Sequence, residues 1–208
     1  MKKKDIYQLL HDETLRGKIA EEDLRTRLLR QEAIAWLGEY AVRSEGLLPL
    51  FSEAVELVAR VLTVDLVKIF QILPGENKML LRAGVGLKEG LVDNARARDE
   101  AESHAGFTLV TDEPVIISDL SKETRFYDPQ LLEEYGVVSG MSVVIRGRER
   151  PWGVFGIYTL EARVFSALDI HFLGSFASIL VLAIERFSVE EELRRLRAEL
   201  EIMVNGVS

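Results

Sequence analysis

The apolar positions follow a helical period at both ends of the chain. Over residues 5–43 they recur mostly every three to five positions, and no proline interrupts them. This spacing predicts one long amphipathic helix, or two helices joined near Gly17. A further helix is predicted over 49–62, where a proline suits the first turn. The last helix is predicted to begin after Ser166, whose hydroxyl can cap it, and to reach about Met203.

The segments between these helices show the pattern of strands. Two of them, VDLVKIFQIL (64–73) and KMLLRAGVG (78–86), flank a turn of proline, glycine, glutamate and asparagine. Two more, VVSGMSVVIRG (137–147) and PWGVFGIYTL (151–160), are separated by three charged residues. Each pair predicts a β-hairpin. A fifth, short strand is predicted in VIISDL (115–120).

The order of these elements determines the predicted fold class. A short helical turn over 128–136, closed by a left-handed glycine cap, completes the set. An α+β fold accounts for this order: an antiparallel sheet of five to six strands, with helices gathered on one side and long N- and C-terminal helices. We expect an N-terminal helical arm over 1–43 that runs into the domain, a domain over 33–187, and a C-terminal signalling or coiled-coil helix over 188–208.

The composition removes several classes of function. The 34 acidic and 26 basic residues give a net charge of −8, which opposes a phosphate backbone, so we expect no nucleic-acid partner. No cysteine is present, which excludes disulfides, thiolate metal sites and cysteine nucleophiles. The N-terminal sequence lacks the apolar run of a secretory leader, and the apolar segment 170–184 is short for a membrane span. We therefore expect a cytoplasmic protein with no membrane partner.

Apolar stripes on the two terminal helices predict a homodimer. At the C-terminal end the apolar residues follow spacings of four, three and four, which is the seam of a short coiled coil. Two heptads alone are marginal in water, so we expect both arms to contribute to a parallel dimer. The predicted interface residues are Leu24, Leu28, Val189, Leu193, Leu196 and Leu200.

Three stretches carry a family resemblance: SHAGFTLVTDEP (103–114), GVVSGMSVVI (136–145) and WGVFGIYTLEARVFSALDIHFLGSFASILVLAIE (152–185). In this order and spacing, residues 33–187 resemble a GAF domain, the small-molecule sensor module of phytochromes, sensor kinases and diguanylate cyclases. The resemblance implies a ligand pocket covered by a loop. It also implies that the helix leaving the domain connects to an output domain, either truncated here or on a separate protein.

The departures from the family's sequence motifs reduce the range of ligand classes that the resemblance implies. Bilin-binding members attach their chromophore through a cysteine, and the free methionine sulfoxide reductase branch also needs cysteines. Cyclic-nucleotide-binding members carry an Asn-Lys pair followed by Phe, three residues and Asp-Glu. This chain keeps Phe165 and Asp169 but has Thr159 and Leu160 in place of the pair and Ile170 in place of the glutamate. The resemblance therefore does not imply a bilin, a reductase or a cyclic nucleotide.

The predicted ligand site lies between the sheet and residues 103–109, beneath the loop 119–126. A mostly apolar cavity with a few convergent polar groups is the usual form of a small-molecule site. The apolar lining would be Phe70, Phe107, Phe126, Met141 and Tyr158, and the polar groups would be His104, Arg125 and Ser139. The net negative charge argues against a strongly anionic ligand unless Arg125 or His104 points inward.

Each of these residues also has a plain structural interpretation. His104 could be a partly solvated helix histidine, and the aromatic residues and the methionine could be ordinary core. Asp119 and Asp128 could cap turns, with Arg125 paired to one of them. A buried Ser139 would need a hydrogen-bond partner. His104 could also coordinate haem iron, but it lacks a paired ligand, so we expect no haem, no bilin and no other cofactor.

The sequence contains no set of catalytic residues. We find no phosphate-binding glycine loop, no metal-spaced histidine pair and no nucleophile elbow. We therefore expect a sensor and dimerisation module for an unknown small molecule rather than an enzyme. The alternative is a ligand-free scaffold of the same fold that serves only dimerisation or protein interaction.

Overall fold

The computed structural model describes residues 3–76, 78–98, 103–126, 132 and 134–205. The predicted long terminal helices are confirmed, and the first runs through Gly17 as one helix, with open space around that glycine. The predicted helical turn over 128–136 lies largely outside the described residues, but Gly136 has the expected left-handed conformation with φ of +67°. The helices are α1 (Lys3–Arg43), α2 (Leu47–Leu62), α3 (His104–Thr111) and α4 (Ala167–Asn205).

Six antiparallel strands form one sheet in the order β3-β2-β1-β6-β5-β4, which confirms the predicted sheet and both hairpins. The short β3 had no periodic signal, because its three residues lie in a charged segment and are held by pairing such as Met79 with Ala97. The strands are β1 (Leu66–Leu73), β2 (Lys78–Val85), β3 (Arg96–Arg98), β4 (Val115–Ile117), β5 (Ser139–Arg146) and β6 (Pro151–Thr159).

Both faces of the sheet are covered, which corrects the expectation that all helices gather on one side. Helices α1, α2 and α4 cover one face, which we call the helix face, where Phe155 and Ile157 pack against residues such as Phe176. Helix α3 and the loop after β4 cover the other, which we call the α3 face. Strand β5 is buried at successive positions from Ser139 to Ile145, so it needs cover on both sides.

Helix α4 is long and apolar enough, by length and composition alone, to cross a membrane. Its apolar residues Phe172, Leu173, Phe176 and Leu180 are instead buried against the sheet. The helix therefore serves as the central core helix of the domain.

Helices α1 and α4 run parallel and are joined at two levels. Arg30 of α1 contacts Asp169 near the start of α4, while Arg186, further along α4, donates to the carbonyl oxygens of Val42 and Ser44. In both helices the residues of the second contact lie C-terminal to those of the first, so the two helix axes point the same way. The free part of α1 and the free part of α4 therefore leave the domain at opposite ends.

Candidate functional site

Helix α3 places a histidine over the α3 face of the sheet. Ser103 caps the helix, because its hydroxyl oxygen accepts a hydrogen bond from the Gly106 backbone N–H at 2.9 Å. His104 follows immediately and is fully buried. The first turn of α3 therefore holds an imidazole in the protein interior.

A closed hydrogen-bond network surrounds His104. Its Nδ1 lies 3.1 Å from the Tyr158 hydroxyl, and its Nε2 lies 2.9 Å from the Ser142 hydroxyl. Ser142 in turn lies 2.6 Å from the hydroxyl of Thr108, which donates to the His104 carbonyl oxygen. Thr108 must therefore accept from Ser142, and Ser142 must accept from Nε2–H. This order assigns the proton of the neutral ring to Nε2.

Burial keeps that ring uncharged. Desolvation, assisted by the nearby charge of Lys68, lowers the pKa of His104 from 6.5 to about 3. At neutral pH the imidazole is thus a neutral donor at one nitrogen and an acceptor at the other. It can recognise a polar group without carrying a charge itself.

Lys68 is the second basic group on this face. It lies on β1 between Leu66 and Phe70 and is only 2% exposed. Its Nζ lies 4.5 Å from the centroid of the Tyr158 ring, within the range of a cation–π interaction. A lysine amine is therefore held inside the domain, beside the His104 network.

Two glycines make room for the Tyr158 ring on the sheet. A Cβ atom at Gly140 would lie 2.5 Å from Tyr158 Cδ1, and one at Gly156 would lie 2.7 Å from the Tyr158 hydroxyl oxygen. Neither position can carry a side chain while the ring lies flat across β5 and β6. The glycines of these strands thus bring the Tyr158 hydroxyl within reach of His104.

The loop after β4 closes the site from outside. The Phe126 ring stacks on His104 with centroids 5.0 Å apart and contacts the Phe107 ring at 5.5 Å. The Arg125 guanidinium lies 5.7 Å from both phenyl centroids and donates to the Ile116 carbonyl oxygen at 2.6 Å. Through these contacts Arg125 holds the loop in place over the two aromatic rings.

Glu123 holds the same arginine from the other side. Its carboxylate accepts from the Arg125 side chain at 2.6 and 3.0 Å, and this interaction lowers the pKa of Glu123 to about 2. Arg125 is thus paired with Glu123 rather than with Asp119. Asp119 caps the turn that follows it, accepting from the Ser121 N–H, and Asp128 lies outside the described residues.

Comparison with known proteins identifies the family. A sequence model described as the GAF domain matches residues 46–184, about two thirds of the chain. The chain belongs to the GAF domain family. A comparison with curated proteins found no match.

Solved GAF domains share the fold at low identity. The GAF domain of an Acinetobacter phosphoenolpyruvate-protein phosphotransferase has a TM-score of 0.68 and 20% identity, covering 78% of this chain and 97% of its own. The corresponding Coxiella burnetii domain has a TM-score of 0.71 and 18% identity, covering 79% and 98%. The free methionine-R-sulfoxide reductase from Neisseria meningitidis, solved in complex with its substrate, has a TM-score of 0.65 and 14% identity, covering 75% and 88%.

Most of the predicted site residues of this GAF domain lie together on the α3 face. His104 and Tyr158 share the hydrogen-bond network, and the loop brings Phe107, Arg125 and Phe126 over it. Phe70 lies on the same face in a neighbouring cluster with Ala105 and Val154. Whether these residues bind a ligand stays a prediction.

Two predicted site residues lie elsewhere, which corrects their assignment. Met141 is buried in the core on the helix face, and the Ser139 hydroxyl bonds to the Ser118 carbonyl oxygen at the strand end. Side chains alternate along β5, so Gly140 and Ser142 face α3 instead. The sequence had shown this alternation without indicating which pair faced the site.

Three polar residues of the site were missed from the sequence. Thr108 and Ser142 complete the His104 network, and Lys68 lies beside it. A signal existed for Lys68, because it alternates with Leu66 and Phe70 on one face of the strand. A lysine at such a position indicates either that the strand is interrupted or that the buried side chain has a structural or binding role.

The GAF fold is generally that of a regulatory sensor, and the site supports this class. Among the residues that the structure describes, no group of three or more His, Cys, Asp or Glu side chains could hold a metal ion. The network around His104 consists of neutral hydroxyls and one neutral imidazole. In this network both ring nitrogens of His104 have hydrogen-bond partners within the chain.

Proposed function

We propose that this GAF domain is a sensor that binds a small molecule on its α3 face and passes the signal through its terminal helices as a homodimer. The observation that carries the proposal is the burial of two basic side chains, Lys68 and His104, on the α3 face. A sheet that only needed a core could hold apolar side chains at both positions. Burying a lysine costs free energy even when it is paired, so its presence there favours a binding role.

The same groups indicate the class of ligand. Lys68 is a buried donor beside the His104 network, and the remaining surroundings are aromatic. This combination favours a small molecule with an apolar body and a carboxylate or other hydrogen-bond acceptor. The Neisseria reductase, which has the same fold, was solved with its substrate bound and supports a ligand-binding use of the fold.

Ligand entry requires the loop to move. The Phe126 ring stacks directly on His104, and Arg125 fastens the loop through Ile116 and Glu123. The structure thus shows the loop closed over the α3 face. A ligand that replaces the Phe126 ring would shift the population toward an open loop by its preference for that arrangement.

We expect ligand stabilisation to depend on the buried lysine. Purified protein is screened by thermal denaturation against small carboxylates and their uncharged amides, and native mass spectrometry tests for a retained ligand. A carboxylate at one hundred times its Kd should stabilise the wild type by about 2.7 kcal/mol. Lys68→Met should lose this stabilisation, because the methionine keeps the apolar length but not the charge.

The matched control is Lys78→Met, which removes the same charge from an exposed position at the start of β2, away from the loop. It should respond to the carboxylate as the wild type does. Equal stabilisation of all three proteins would contradict the proposed site. Absence of any stabilising molecule would favour the second candidate below.

The second candidate is a ligand-free scaffold. One observation favours it: both ring nitrogens of His104 have partners within the chain, and the rings of Phe107 and Phe126 lie against each other above it. A site satisfied by its own side chains has no polar group that demands a ligand. The thermal screen distinguishes the two candidates.

The exposed stripes on the arms support the dimer. All six predicted interface side chains are 48% to 60% exposed in the single chain. In a parallel, in-register pair of α4 helices, Glu192 of one copy would flank the seam opposite Arg197 of the other, which favours that orientation. The proposed partner is therefore a second copy of this chain.

A further inference from the structure

The hydroxyl of Ser139 joins two segments that lead to different parts of the domain. It donates to the Ser118 carbonyl oxygen at 2.9 Å and accepts the Arg163 backbone N–H at 3.1 Å. Ser118 begins the loop that covers the α3 face, and Arg163 lies in the segment that leads into α4. Ser139 is fully buried, so water does not compete for these two bonds.

The Arg163 side chain continues from this junction to the start of α4. Its guanidinium donates to the carbonyl oxygens of Leu62 and Thr63 at the end of α2, at 2.5 and 3.2 Å. It also lies 3.6 Å from Asp169 Oδ1. The Asp169 carboxylate accepts bonds from the Ser166 N–H and hydroxyl, both at 2.7 Å, and so closes the N-terminal cap of α4.

Arg30 connects Asp169 to the N-terminal arm. Its Nη2 lies 2.6 Å from Asp169 Oδ1, and the two side chains are only 16% and 6% exposed. Burial alone would raise the pKa of Asp169, but the bonds from Ser166 and the charges of Arg30 and Arg163 lower it below its ordinary value. The carboxylate therefore stays ionised and attracts both arginines.

One oxygen thus lies near two guanidinium groups. Asp169 Oδ1 is close to Arg30 now, and Arg163 stands 1.0 Å further away. If the Arg163 segment shifts, its guanidinium can close on the carboxylate and release Arg30. Such a second arrangement of the ionic group, together with the one observed, would form a two-state element of the kind that couples distant sites.

We infer that the contacts from Ser118 through Ser139, Arg163 and Asp169 to Arg30 couple the loop over the α3 face to α1. Opening the loop weakens the Arg30–Asp169 contact and loosens α1. The natural trigger, a ligand, rests on the proposed function. The coupling itself can be tested without a ligand, because substitutions can open the loop.

The test measures amide hydrogen exchange in the full chain while the loop is opened by Arg125→Ala combined with Phe126→Ala. We expect faster exchange in the loop and, in residues 22–34 of α1, a rise of at least about fivefold, the lower end of typical coupling between sites. Adding Ser139→Ala should keep the loop effect and abolish the effect on α1. Ser139→Cys, which has nearly the same volume, replaces the alanine variant if that variant is unstable.

A second substitution distinguishes the effect on α1 from the effect on the start of α4. Arg30→Met should already loosen α1, and opening the loop should then add nothing there while still affecting the first turn of α4. The matched control for Ser139→Ala is Ser178→Ala, whose hydroxyl donates only within α4, and it should preserve transmission.

Three results would overturn the inference. In the first, the loop opens but hydrogen exchange in α1 is unchanged. In the second, exchange in α1 still rises when Ser139→Ala is added. In the third, the double substitution does not increase exchange in the loop. Stabilisation by a carboxylate without this coupling would leave the ligand proposal intact. Coupling without any stabilising ligand would reject only the ligand proposal.

Discussion

Acidification from pH 6.5 to 4.5 is expected to lower the free energy of unfolding by about 2 kcal/mol through His104 alone. The unfolded chain takes up a proton at this residue near its ordinary pKa of 6.5, whereas the folded domain resists protonation until about 3. The unfolded state therefore binds more protons throughout this interval. Above pH 6.5 the ring is mostly neutral in both states and costs the fold little; the cost grows as the pH falls below 6.5 and levels off near pH 3. Denaturant titrations at fixed protein concentration measure it.

The pH dependence should become weaker when the imidazole is removed. His104→Gln keeps a hydrogen-bonding amide, so the variant should be less stable at neutral pH but show a flatter stability profile between pH 6.5 and 4.5. His171→Gln, on the exposed side of α4, is the matched control and should follow the wild type. If the free energy of unfolding changed with pH in the same way for wild type and His104→Gln, burial of His104 would not be the cause of the pH dependence.

Leu196→Lys is expected to convert the proposed dimer largely to monomer. Leu196 lies in the middle of the exposed seam, with Leu193 and Leu200 on either side. A lysine there places a charge between two helices in each copy, and two heptads have little stability to lose. Sedimentation over a range of protein concentrations should show weakened association for this variant.

Ala198→Lys is the matched control, because it adds the same charge two residues away on the outward side of the helix. It should associate as the wild type does. A wild-type protein that sediments as a monomer at all concentrations would remove the dimer from the proposal, and equal weakening by both lysines would place the interface elsewhere.

The fold was largely predictable because its elements are long and periodic. The 41 residues of α1 and the 39 of α4 give many repeats of the helical period, and both hairpins have turn residues between alternating strands. Strand β3 was not predictable, because three residues contain no period and its pairing depends on β2. The position of α3 on the opposite face also depends on long-range packing, which local sequence does not encode.

The candidate site was predictable only in outline. Its aromatic residues could be selected by type, but choosing between Ser139 and Ser142 required knowing which face of β5 meets α3. A shift of one residue exchanges the two faces completely. Lys68 was missed for a different reason, since a lysine in a strand is ordinarily taken as exposed.

The parallel course of α1 and α4 determines the hydrodynamic shape of the molecule. With Arg30 level with Asp169, 27 residues of α1 precede that level and 36 residues of α4 follow it. At 1.5 Å per residue the two helices together extend over roughly 90 Å. A compact protein of this length would have a radius of gyration of only about 17 Å. In solution the chain should therefore scatter as a rod with a globular middle, with a radius of gyration well above that of a compact protein of the same length.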